Sequence, residues 1–198
     1  IGASSVVFRE HLPQLLASAR EEFPALHPML RVGIQPEIEK WLLDNEIDLG
    51  VTVIDAKPPP ELKSEKLLEL PVVLVIPAKS KIKSAEEILG QDRIEQPLIS
   101  LPVNEGISRV FQTELAKRKI DWPIGMELNS VSLIDIYVSN GFGIGLSLNL
   151  PQAQRTGGVK MLPLDDFPKV GIGALWRGRL TPLGESLVRQ LKEHADTL

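Results

Sequence analysis

Histidine is the commonest base and metal ligand near neutral pH, and the chain has three: His11, His27 and His194. No two of them stand at helical spacing and none belongs to an H-E-x-x-H pair, so each reads as a lone surface or cap residue. Cysteine is absent, which removes disulfides, thiolate metal sites and a sulfur nucleophile together. The serine-hydrolase elbow G-x-S-x-G is approached only by Gly106-Ile107-Ser108-Arg109-Val110, which lacks the second glycine. Gly141-Phe142-Gly143-Ile144-Gly145 has the wrong spacing for a dinucleotide fingerprint, and its helix comes before it and its strand after it. It reads as a glycine helix stop and a turn into a close-packed strand. The carboxylate pairs Glu86-Glu87 and Asp165-Asp166 lie in polar stretches with nothing apolar to raise a pKa. The expectation is a non-enzyme with no catalytic residue, no metal and no cofactor.

What remains is a set of turns built from small hydroxyl and amide residues: Ser4-Ser5, Ile34-Gln35, Ser100, and Asn129-Ser130. Each follows an apolar strand-like segment and precedes a helical one. Helix N-termini present unpaired N–H groups and partial positive charge, and open α/β sheets bind ligands outside the carboxyl ends of their strands. Taken singly, each turn is equally well an ordinary helix cap; their shared position points to binding. Among charged side chains only Arg109 lies just downstream of a candidate turn, so a bound anion would meet mainly hydroxyls and backbone N–H groups.

The elements that must carry these turns are legible from periodicity. Phe8, Leu12, Leu15, Leu16, Ala19 and Phe23 recur at helical spacing, with Pro13 either opening or kinking that helix and Pro24 ending it. Strands are expected at 1–3, 29–32, 47–53, 70–78, 97–101, 126–129, 144–148, 159–164 and 170–176. Helices are expected after Pro36, at Ser84–Glu87 with a capping box, after Asn104, around Leu133–Val138 and after Thr181-Pro182. Lys57-Pro58-Pro59-Pro60 reads as a stiff connector. The alternation predicts an α/β fold of mostly parallel sheets, restarting after the long apolar strand near Val72.

Length and composition agree. The chain has 198 residues, 43% of them hydrophobic and 24% charged, with 22 Lys+Arg against 26 Asp+Glu for a net charge of −4. That suits one large or two small globular domains. The acidic pI of about 5.5 offers no electrostatic footprint for nucleic acid. The longest apolar run, Val72–Ile76, is far too short to span a membrane, and no secretory leader is visible at Ile1.

Several passages resemble one family. Ile1-Gly-Ala-Ser-Ser5, Leu12-Pro-Gln-Leu-Leu16 and Phe23-Pro24 are similar to the start of the effector-binding domain of LysR-type transcriptional regulators. So are Gly33-Ile-Gln-Pro-Glu-Ile38 running through Leu42-Leu-Asp44 to Glu46-Ile-Asp-Leu-Gly50, and Ile134 through Tyr137-Val-Ser-Asn-Gly-Phe-Gly-Ile-Gly145. Leu180-Thr181-Pro182 resembles the family's closing segment. The resemblance implies a type 2 periplasmic-binding-protein-like fold of two Rossmann-like subdomains joined by two crossing strands, residues 1–74 plus 168–198 and residues 75–167. It further implies a bacterial transcription regulator with a small-molecule effector in the inter-subdomain cleft, lined by Ser4, Ser5, Ile34, Gln35, Ser100, Leu101, Asn129 and Ser130; the hydroxyls and helix N-termini of those turns point to a carboxylate or oxyanion. The partners implied are a second copy in a homodimer, possible tetramers at full length, and DNA through an N-terminal winged helix-turn-helix expected upstream of this chain. The location implied is cytoplasmic. The competing expectation is an extracytoplasmic solute-binding protein of the same fold.

Overall fold

The structure, a computed structural model, describes residues 1–54, 58–151 and 157–198. In chain order its elements are β1 (Gly2–Ala3), α1 (Ser5–Glu10), α2 (Leu12–Glu22), β2 (Arg31–Val32), α3 (Gln35–Leu43), β3 (Gly50–Val53), β4 (Leu62–Leu70) and β5 (Val72–Pro77). These are followed by α4 (Glu86–Leu89), β6 (Leu98–Ser100), α5 (Gly106–Lys117), β7 (Ile124–Glu127), α6 (Val131–Ser139), β8 (Ile144–Leu148), β9 (Val159–Pro163), β10 (Val170–Arg177) and α7 (Pro182–Ala195). The chain divides into two compact units, Ile1–Glu69 with Gly171–Leu198, and Leu70–Val170. It passes from the first to the second at the end of β4 and returns at the start of β10.

The first unit is a five-stranded sheet in the order β2-β1-β3-β10-β4. β1 pairs in parallel with both β2 and β3, while β10 runs antiparallel to β3. Alternation along the strands separates two cores. Ala3, Val51 and Ala174 face α2 and α7, packing with Leu12, Leu15, Ala19, Leu187 and Leu191. The neighbouring Leu175 faces the other way, into a cluster with Ile38 and Leu42 of α3. Glycine makes that second contact close: a Cβ on Gly50 would lie 2.5 Å from Ile38 Cγ2, and one on Gly2 2.6 Å from Ile47 Cδ1.

The second unit repeats the plan in the order β7-β6-β8-β5-β9. β6 is parallel to β7 and β8, whereas β5 is antiparallel to both β8 and β9. β5 is buried along Val72–Ile76, which is why its sequence is continuously apolar rather than alternating. Phe111 of α5 is fully buried and stacks on Phe167 with ring centroids 5.4 Å apart.

Several elements differ from expectation. The sheets are mixed rather than mostly parallel. The first helix is two helices, because the chain breaks at His11 and Pro13 takes the first turn of α2, where its missing N–H costs nothing. The nine-residue strand β4 has no regular apolar signature in the sequence: its Lys63-Ser64-Glu65-Lys66 stretch is polar because it lies at a sheet edge. Ser84 is not the cap of α4; the cap position is Ala85, and Glu87 accepts from Lys83 N–H instead. Glu105, not Asn104, occupies the cap of α5. Lys57 of the expected connector lies outside the described residues, and Pro59 accepts a turn hydrogen bond from Leu62 N–H at 2.9 Å.

Candidate functional site

The strand orders β2-β1-β3 and β7-β6-β8 carry the same consequence. From β1 the chain crosses one way to β2 and then returns past β1 to β3, so successive crossovers leave the sheet on opposite sides. A reversal of this kind opens a crevice outside the carboxyl ends of the parallel strands, here between β1 and β3. The second unit repeats it between β6 and β8.

In the first unit the candidates gather at that end. Ser4 follows β1 and caps α1, its Oγ accepting from Val7 N–H at 3.5 Å. Ser5 opens the helix and is half-buried. Gly33 N–H donates to Ala3 O at 3.0 Å, which sets the turn after β2 directly beside Ser4. Ile34 is the cap residue of α3 but has no side-chain acceptor, so only half a capping box forms: Glu37 Oε2 accepts from Ile34 N–H at 2.9 Å. Gln35 is buried, and its amide donates to Glu39 Oε1 at 2.8 Å, one turn along the same helix. Ser4, Ser5, Ile34 and Gln35 therefore form one cluster.

In the second unit Ser100 ends β6 and is almost fully buried, as is Leu101. Ser108 of α5 donates its hydroxyl to Leu101 O at 2.9 Å. Its one proton is thereby committed, so in the 2.8 Å contact between the two serines Ser100 must be the donor. The resulting chain, Ser100 to Ser108 to the Leu101 carbonyl, fastens the strand end to the helix. Leu128 N–H donates to Ser100 O at 2.9 Å, placing the Asn129-Ser130 turn against the same strand end. Asn129 is exposed, and Ser130 is the half-buried cap residue of α6, with its carbonyl accepting from Leu133 and Ile134. Ser100, Leu101, Asn129 and Ser130 thus form the second cluster. Arg109 is turned back, its guanidinium donating to Asn104 O, so this cation is engaged locally.

Residue chemistry alone singled out neither Ser108 nor Asn149. In the sequence Ser108 stands out only within an incomplete hydrolase motif, and its partner Ser100 lies eight residues away across a loop. Asn149 is exposed just past β8, on the far side of the second crevice from Ser100. Finding it requires the strand order, which periodicity does not reveal.

The Gly141–Gly145 stretch serves the scaffold. Gly141 stops α6 at φ +82°, a left-handed turn that favours glycine. A Cβ on Gly143 would lie 2.2 Å from Pro97 O, and one on Gly145 2.5 Å from Ile134 Cγ2. The stretch therefore lets β8 lie close to the start of β6 and lets α6 settle on the sheet. Among the described residues no group of His, Asp and Glu could hold a metal, and no helix is long and apolar enough to cross a membrane.

Comparison with known proteins agrees with this architecture. The family model described as LysR substrate binding domain matches residues 1–196. A probable RuBisCO transcriptional regulator of Synechocystis sp. is 28% identical over 151 residues, covering 72% of this chain and 43% of the relative. The chain thus spans less than half the length of that protein. Two solved structures share the fold: the CcmR regulatory domain of Synechocystis in complex with 2-PG, at TM-score 0.81 and 19% identity over 100% of this chain and 96% of that one. The effector-binding domain of QuiR in complex with shikimate superposes at TM-score 0.82 and 14% identity, covering 99% and 95%.

Proposed function

The chain belongs to the LysR substrate-binding domain family, and from that premise we propose that it senses a small anionic metabolite held between its two units, in a DNA-binding transcription regulator. The observation that carries this reading is the repeated switch point. Each unit independently sets a cluster of polar turns outside the carboxyl ends of its parallel strands, Ser4, Ser5, Ile34 and Gln35 in one and Ser100, Leu101, Asn129 and Ser130 in the other. Related domains carry 2-PG and shikimate, both small acids, in their solved complexes.

Hydroxyls and backbone N–H groups suit a carboxylate or oxyanion, and Ile34 and Leu101 add apolar surface for a branched or aromatic body. A ligand that touches both clusters favours one arrangement of the units. That preference biases how copies of the regulator pair and present their DNA-binding segments. In this reading the protein is a cytoplasmic homodimer or higher oligomer without catalysis, and DNA is contacted by a segment outside this chain.

Thermal unfolding with a panel of small carboxylates and oxyanions, each beside its neutral amide or alcohol, tests the ligand class. A ligand at a hundred times its Kd stabilises the folded state by about 2.7 kcal/mol, which for this size raises Tm by about 5–10 °C. The expected hit is an acid whose neutral analogue has no effect. Stabilisation by the neutral analogues alone would overturn the anionic assignment.

A further inference from the structure

We propose that the first unit carries a second, separate ligand site for a small aromatic carboxylate, on the face where α7 crosses β4 and β10. A solvent-open depression of about 470 Å³ lies there. Its floor follows from strand alternation: Lys63 and Glu65 of β4 project to the α7 side of the sheet, as does Trp176 of β10. The half-buried Trp176 indole, with Leu180 and Val188, forms an apolar wall that a flat ring can cover.

The charge around that wall is the second observation. Four cations line the depression, Lys63, Arg179, Arg189 and Lys192, against two carboxylates, Glu65 and Glu185. The local balance is therefore positive in a chain whose net charge is −4. Lys192 is paired with Glu65, and Arg189 lies 3.7 Å from Glu22. Lys63 and Arg179 have no ion-pair or hydrogen-bond partner among the described residues. Exposed cations need no partner, so this alone carries nothing. What matters is that two uncommitted cations border the same depression as an indole and two aliphatic side chains. An aromatic body with one carboxylate satisfies both, whereas an inorganic anion leaves the apolar wall wet and a neutral ring leaves the cations unanswered. The site lies wholly within one unit and is independent of the site proposed above.

Cinnamate is a suitable probe, with neutral cinnamamide as control, followed by the indole N–H signals of Trp41, Trp122 and Trp176 in a ¹H–¹⁵N spectrum of the labelled chain. Trp176→Phe assigns its signal. Cinnamate is expected to shift the Trp176 signal saturably and leave that of the buried Trp122 in place, with cinnamamide much weaker. The double variant Lys63→Ala/Arg179→Ala is expected to weaken binding roughly three- to tenfold, since each exposed ionic contact contributes modestly. Both side chains are exposed, and unchanged Trp41 and Trp122 signals verify the variant's fold. A Trp176 signal that does not move, or moves equally with cinnamamide, overturns the proposal. So does an affinity that the double variant leaves unchanged.

Discussion

At the scale of single residues, one pair of titratable side chains lies outside the candidate turns. His11, between α1 and α2, sits with Nδ1 3.0 Å from Nε2 of His194 near the end of α7. Burial pushes the His11 pKa below its ordinary value, the neighbouring His194 pushes it further the same way, and Glu10 opposes both. A base whose folded pKa is depressed binds its proton more readily when unfolded. Its contribution to stability is therefore intact above the unfolded pKa of about 6.5 and is lost as pH falls through the lower folded value. Urea unfolding midpoints between about pH 5.5 and 8 should fall toward the acid end, and His11→Gln should flatten that fall. Parallel curves for the two proteins would assign the acid sensitivity to other groups.

At the scale of elements, the buried serine pair decides how β6 meets α5. Ser108→Ala removes the acceptor of Ser100 and the donor to Leu101 O in one step. Leaving such groups buried without partners costs about 1–3 kcal/mol, read as a lower urea midpoint. Adding Ser100→Ala removes one of the stranded groups, so the double variant should be destabilised by less than the sum of the two single variants; additive losses would show that the serines act separately. This pair also marks how far the sequence was legible. Helices with a clear apolar stripe, such as those of Phe111 and Leu115 or Ile134 and Val138, were placed within a few residues. The strand Ile144–Leu148 was placed at its bounds. β4 escaped because an edge strand carries the charges of a surface loop. The antiparallel pairings of β5 and β10 escaped because pairing direction depends on contacts distant in sequence. The candidate turns could be picked out by residue type, but not the inward aim of Ser100, which depends on a helix residue across the loop.

At the scale of the whole molecule, two units of one plan each bring a switch point and a polar cluster, and the proposed mechanism needs both to hold one ligand. A domain that binds with only one unit has no lever on the arrangement of the two. Calorimetric titration of the acid identified by thermal unfolding, against the parent chain and the single variants Ser5→Ala and Asn129→Ala, tests this directly. The two positions lie in different units. The account predicts that each variant weakens binding about tenfold, the loss of roughly one hydrogen bond to a charged group. Full affinity retained in either variant would contradict a ligand shared between the two units, and full affinity in both would remove the site from these turns altogether.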